Sequence, residues 1–210
     1  MITMSKIDLE AILKLFQLLH PVSEKELNAV LEQTQCHNYS AGQFIVLEGD
    51  EAQLEFIVLE GDEAQLEFIV LRGIVKSGVT TAEGQDVALN FYPGPAVVSP
   101  AITRYAEGKS RVHLQALTDT RIAFFPAQTL VNCMLASTSV QLWGDSILRA
   151  DLVKRADKEW ALAALSGKER LARFRLQFPT LENDIGHSHI ASYLGMTPVT
   201  LSRLRGNRKD

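Results

Sequence analysis

Residues 187–205 read His187-Ser-His-Ile-Ala-Ser-Tyr-Leu-Gly-Met-Thr-Pro-Val-Thr-Leu-Ser-Arg-Leu-Arg205, and no other stretch of the chain constrains its structure so tightly. A helix-turn-helix requires a small residue where two helices cross, a residue tolerant of positive φ in the turn, and apolar side chains that lock the helices at a fixed angle. Ala191 is the small crossing residue, Gly195 lies in the turn, and Ile190, Leu194, Met196, Leu201 and Leu204 fall where a shared core would lie. Thr197 and Pro198 supply an N-cap and an N1 proline for the second helix. In a recognition helix, Pro198, Val199, Ser202 and Arg203 would face outward and are the base-reading candidates. Arg203 can donate two parallel hydrogen bonds to guanine O6 and N7, worth about 1–3 kcal/mol of discrimination, whereas Val199 can only pack on a thymine methyl. Thr197, Thr200, Arg205, Arg208 and Lys209 are the phosphate candidates, which set register rather than sequence. For Arg208 and Lys209 a plain solvated charge is an equal reading.

The charge is divided to match. The 210 residues carry a formal net charge of −4, but from Lys168 onward eight basic residues stand against four acidic ones, which leaves residues 1–167 at about −8 and the tail near +4. A basic module at the end of an acidic chain is placed to meet phosphate.

Working toward the N-terminus, Ser166-Gly-Lys-Glu169 has the form of a capping box and opens a helix carrying Leu171, Phe174 and Phe178, which Pro179 stops. A longer helix is predicted from about Ser139 to Leu165, with Val140, Trp143, Ile147 and Ala150 on one seam and Leu148 and Leu152 adjoining. Gly144, Lys154 and Asp157 interrupt the seam, which either packs on its own β domain or pairs with its twin in a homodimer. Thr129 to Leu135 reads as a short helix.

Between Cys36 and Phe125 the pattern changes to short β-branched and aromatic runs, Phe44–Leu47, Phe68–Leu71, Val87–Tyr92, Val112–Leu117 and Arg121–Phe125, punctuated by Gly, Asp and Pro. Strands at this spacing predict an antiparallel sandwich or jelly roll. This region also holds a perfect twelve-residue tandem repeat, residues 44–55 and again 56–67, with Phe68-Ile-Val-Leu71 beginning a third copy. Perfect identity is unlike a solenoid, whose repeats drift, so a recent slip or an artefact is the preferred reading. Twelve is even, so one copy can replace the other in the sheet with its twin expelled as a loop. The carboxylates of the two copies lack the ordered oxygen spacing of a calcium loop. Before the strands, Lys6 to His20 reads as a helix stopped by Pro21, and a capping box at Ser23–Glu26 opens a second to about Gln33.

The residues 190–203, IASYLGMTPVTLSR, closely resemble the C-terminal motif of the Crp/Fnr regulators, particularly the branch found in Bacteroidetes. The resemblance extends to Gly42-Gln-Phe-Ile-Val-Leu-Glu-Gly-Asp50, the turn at Arg72-Gly73, Tyr92-Pro-Gly94, and Leu117-Thr-Asp-Thr-Arg-Ile122, and it becomes regular between Gly42 and Gly73 once one repeat copy is removed. It implies an α+β chain: an N-terminal antiparallel β jelly roll of the cyclic-nucleotide-binding kind over residues 1–137, a dimerisation helix over 138–165, and a winged-helix-like helix-turn-helix domain over 166–210. It tips the long helix toward the homodimer, and it implies a sequence-specific transcriptional regulator. The expected partners are double-stranded DNA, a second copy of the chain, a small-molecule effector and RNA polymerase, in the cytoplasm.

The resemblance is incomplete at three places. Cyclic-AMP-binding members offer Gly-Glu and then Arg-Ser to the ligand, whereas the matching stretches here are Val98-Ser99-Pro100 and Lys109-Ser110-Arg111. That argues against a cyclic nucleotide and leaves Ser99, Ser110 and Arg111 to meet another anion. Cys36 and Cys133 are too few for an iron–sulfur centre or a disulfide framework and read as buried thiols. Val199 stands where the family commonly has Glu, which points to a different target, and the chain ends at Asp210, leaving little for a wing on that side.

Competing readings are weaker. A cupin-like metalloenzyme needs two or three His and a carboxylate on neighbouring strands, yet only His113 falls in a predicted strand. His187 and His189 are two apart at a helix start, where their rings diverge, and read as capping or surface residues. A ligand-sensing module acting through protein contacts would not need the basic tail. No catalytic triad, P-loop or dinucleotide fingerprint is present, and no catalysis, cofactor or metal is expected. No apolar run approaches the roughly 20 residues of a membrane span, and Lys6, Asp8 and Glu10 come too early for a secretory leader, so a soluble intracellular protein is expected.

Overall fold

A computed structural model describes residues 4–18, 20–49, 65–107 and 109–206. The chain begins with helix α1 (Lys6–Gln17), a 3-10 turn (Glu24–Leu27) and α2 (Asn28–Gln33). Strands follow as β1 (Gln35–Tyr39), β2 (Phe44–Val46), β3 (Leu66–Arg72), β4 (Ile74–Thr80), β5 (Asp86–Pro93) and β6 (Ala96–Val97). After the short helix α3 (Ala101–Arg104) come β7 (Tyr105–Ala106), β8 (Lys109–Ser110), β9 (His113–Ala116) and β10 (Thr120–Pro126). The rest is helical: α4 (Ala127–Ala136), α5 (Thr138–Ala164), α6 (Gly167–Gln177), α7 (Leu181–Asp184), α8 (His187–Tyr193) and α9 (Pro198–Gly206).

The strands form two four-stranded antiparallel sheets, β1-β10-β3-β6 and β2-β9-β4-β5, and enclose a core that includes Ile45, Leu66, Phe68, Val70, Val75, Leu114, Ile122 and Phe124. This is the expected jelly roll, within an α+β chain. Strands β3 and β10 are buried on both faces: Phe68, Val70, Ile122 and Phe124 point into the roll, while Ile69, Ala123 and Phe125 meet α1, α2, α4 and the start of α5 on the other side. That double burial explains why these strands read as continuous apolar runs rather than alternating ones. The helices are capped as expected at Ser23–Glu26 and Ser166–Glu169, and a third capping box, Ser5–Asp8, opens α1. Asp8 also takes two hydrogen bonds from Arg121, at 2.8 and 2.6 Å, tying α1 to β10.

The five predicted strands all form, but five others among the described residues escaped the pattern, the short β6, β7 and β8 together with β1 and β4. β1 is a polar edge strand, Gln-Cys-His-Asn-Tyr, and β4 carries a buried lysine and a glycine in mid-strand. The repeat contributes to both sheets, because β2 takes the start of the first copy while β3 takes Leu66 and Glu67 from the end of the second. The expectation of an expelled copy concerns residues 50–64, which lie outside the described residues, as do Arg208 and Lys209.

The seam expected on the long helix needs correction. Val140 and Trp143 are buried in their own chain's core, with the Trp143 ring stacked 4.0 Å from Phe16 and its Nε1 donating to the Leu15 carbonyl. Ile147 packs on the same core, and of the four only Ala150 is exposed. The apolar residues left outward on α5 include Leu148 and Leu152. Among the described residues no helix is long and apolar enough to cross a membrane, and residues 166–206 hold helices without strands.

Candidate nucleic-acid interface

The helix pair is assembled from the residues that the pattern singled out. Gly195 takes φ of +62°, its N–H bonds the Ser192 carbonyl at 3.1 Å, and the Met196 N–H reaches back to Ala191 at 3.0 Å. Thr197 caps α9, its Oγ1 accepting from the Thr200 N–H at 3.2 Å. Ile190, Ala191, Leu194 and Leu201 are buried together with Leu171, Phe174, Phe178, Leu181 and Ile185, and Met196 and Leu204 pack at the margin.

The opposite face of α9 is open. Pro198, Val199, Ser202 and Arg203 are all exposed, Val199 by 60%. Thr197 and Thr200 are exposed beside them, their hydroxyls 2.9 Å apart. Arg205 differs from its expected role, because it turns inward: its Nε lies 2.6 Å from Glu182, and its guanidinium meets the His187 ring. Glu182 is also held bidentately by Arg175 at 2.7 and 2.9 Å, whose hydrogen bonds keep its carboxyl below the usual range. Arg205 therefore braces α9 on α7, and Arg203 is the cation that the helix presents outward.

The helix pair also leans on the jelly roll. His189, Ser192 and Tyr193 form one face of α8 at i, i+3 and i+4 and lie along β5, where the Ser192 hydroxyl accepts the Ala88 N–H at 3.1 Å. Phe91 of β5 joins Phe174, Phe178 and Tyr193 in one aromatic cluster with ring centroids 5.2–6.2 Å from Phe91. Lys158 of α5 closes the junction. Its ammonium donates to the Ala88 and Leu89 carbonyls at 3.1 and 2.8 Å and sits 4.0 Å above the Tyr193 ring. Burial pushes Lys158 down to about 8.

The three effector candidates are not brought together. Ser99 is buried and hydrogen-bonded to Tyr92 at 2.7 Å and to Asp151 at 2.5 Å. Ser110 is spent on the Val112 carbonyl at 2.6 Å, and Arg111 is exposed. A cavity of about 410 Å³ lies between β5, α5 and α8, lined by Ser99 but not by Ser110 or Arg111. Sequence reasoning missed its other polar residues, including Tyr92, Arg104, Asp151 and Lys158, because they come from three elements far apart in the chain. Arg104 is buried, donating to the Ser99 and Leu66 carbonyls, and its Nη1 has no partner among the described residues. Among the described residues no group of three or more His, Cys, Asp or Glu is placed to hold a metal. Both cysteines are buried, and burial pushes the Cys36 thiol up to about 11.

No family model matches the sequence, and a search of curated proteins finds no match. Solved structures do match the fold. FixK2 from Bradyrhizobium japonicum superimposes with a TM-score of 0.67 at 20% identity, over 82% of this chain and 83% of that one. A CooA variant from Carboxydothermus hydrogenoformans gives 0.63 at 20% identity, over 90% and 86%. A protein from Eubacterium rectale assigned to the Crp/Fnr regulators gives 0.63 at 18% identity, over 87% and 82%. The likeness is one of fold, and the jelly roll, long helix and C-terminal helices of this chain are arranged as in structures of Crp/Fnr regulators.

Proposed function

We propose that this chain is a sequence-specific, DNA-binding transcriptional regulator of the Crp/Fnr type, of the Bacteroidetes branch by its C-terminal motif, acting as a homodimer in the cytoplasm. The observation that carries the reading is the outward face of α9. A capped helix buries Leu201 and leaves Pro198, Val199, Ser202 and Arg203 bare, in the arrangement that reads base edges in a major groove. Arg203 bonds guanine, Val199 packs on a thymine methyl, and Thr197 and Thr200 hold phosphate with Arg208 and Lys209 beyond them.

The division of labour is an effector domain over 1–137, a dimer helix over 138–165 and a DNA-binding domain over 166–210. Because Val140 and Trp143 are taken up by the chain's own core, the dimer seam runs through Leu148 and Leu152 instead. The effector is a small anion other than cyclic AMP, held in the cavity beside Ser99 and Arg104. Its binding shifts the packing of β5 and α5 on α8, and so the spacing of the two recognition helices. RNA polymerase is the further partner of the DNA-bound dimer, and no catalytic step is assigned.

Selection of random duplexes by the purified chain at two salt concentrations tests the reading. The expected result is a two-fold symmetric motif with half-sites one helical turn, roughly 34 Å, apart. Arg203→Ala should relax one base position by about 1–3 kcal/mol while leaving the salt dependence nearly unchanged. Absence of binding at low salt would overturn the proposal.

A further inference from the structure

Where α8 meets the jelly roll, four ionisable side chains from four elements converge. Lys76 of β4 is fully buried and ion-paired with Asp86 of β5. His113 of β9 is also buried, with Nε2 3.1 Å from Asp86 Oδ1, and its ring sits where Gly78 leaves no Cβ: one built there would lie 2.5 Å from Nε2. His189 of α8 completes the group, half-buried, with Nδ1 3.9 Å from Asp86 Oδ2. The further carboxylate acting on His113 is Glu48, which is exposed and bonded to the Thr80 N–H. His187, on the same helix, faces Arg205 instead.

We propose that this cluster is an acid-sensitive latch, which holds α8 against β5 at neutral pH and releases it on acidification. Asp86 is one carboxylate shared among three basic groups, and Lys76 already claims it. Burial, and then the Lys76 charge, hold both imidazoles below their ordinary value, against the weaker pull of Asp86. The sign follows from proton linkage. Undocked, His189 stands in water and binds a proton near pH 6.5, whereas docked it resists one, so docking is fully supported above pH 6.5 and weakens as pH falls through it. For one imidazole that stays neutral when docked, the docking equilibrium falls by up to about tenfold between pH 7.5 and 5.5. Release matters to DNA binding only through the regulator reading above, because α8 carries the recognition helix.

The test uses the full chain without DNA, so it stands apart from that reading. Imidazole resonances of His113 and His189 are titrated by NMR, and hydrogen exchange of the Ala88 N–H, which reports its bond to Ser192, is followed from pH 7.5 to 5.5 after correction for the chemical exchange rate. The expected result is titration of His189 below pH 6.5 and a several-fold loss of Ala88 protection, with the β3 and β10 amides unchanged. In His189→Gln, which is neutral throughout, that loss should shrink to about that of the β3 and β10 amides. His189 titrating at or above 6.5, or an equal loss in the variant, would overturn the proposal. Unfolding of the variant would show at β3 and β10, and the titration of the unaltered chain then decides alone.

Discussion

Gly195 shows how much one residue carries. Its φ of +62° is a conformation that a side chain makes costly, and a Cβ there would lie 2.8 Å from Leu162 of α5. Gly195→Val should lower stability by about 1–2 kcal/mol, read from denaturant unfolding, and under the proposed function it should also weaken duplex binding by skewing α9. Lys158 supports the same junction from the other side. Its lowered value means that the folded chain binds fewer protons than the unfolded one between pH 8 and 10.5, so this group makes stability rise with pH across that window. Lys158→Met should abolish that rise, and NMR of the parent should place the ammonium near 8. Neither role shows in a single residue type: the turn glycine is legible because a helix pattern brackets it, whereas Lys158 reads as one more charge on a long helix.

At the scale of elements, the tandem repeat supplies a controlled comparison. Phe-Ile-Val-Leu occurs at 44–47 and at 68–71, yet Phe44 is 47% exposed on a strand paired to β9, while Phe68 is fully buried between β10 and β6. The same letters take different burial because their neighbours differ. Deleting residues 56–67 leaves Leu54 and Glu55 to stand for Leu66 and Glu67, whose carboxylate accepts the Ala101 N–H at 3.0 Å. Since closure entropy grows only logarithmically with length, thermal unfolding of the deletion variant should show a stability within about 1 kcal/mol of the parent. Helices with capping boxes and apolar runs were legible because their signals lie within three or four residues. β4 was not, since Lys76 and Gly78 look wrong for a central strand until Asp86 and the His113 ring are seen to need them.

Across the whole molecule, Phe91 couples the two halves. It leaves β5 on the face opposite Tyr92, and while Tyr92 enters the roll, Phe91 enters the core of the C-terminal helices. Phe91→Ala should cost about 3–5 kcal/mol, and calorimetry should resolve a separate, earlier transition for the C-terminal helices. If the two halves still melt together, the coupling lies elsewhere, in Lys158 and the Asp86 cluster.

The features legible in the chain are local: the helix-turn-helix with its glycine turn and capped second helix, the succession of a helical, a strand-rich and a second helical region, and the basic tail. These follow from periodicity and caps, which act between residues a few positions apart. Long-range packing alone turns Trp143 onto Phe16, bends Arg205 to Glu182 so that Arg203 stays outward, and sets His189 beside Asp86. Each of these depends on surfaces supplied by segments distant in the chain, and burial against a distant segment leaves no period in the sequence to read.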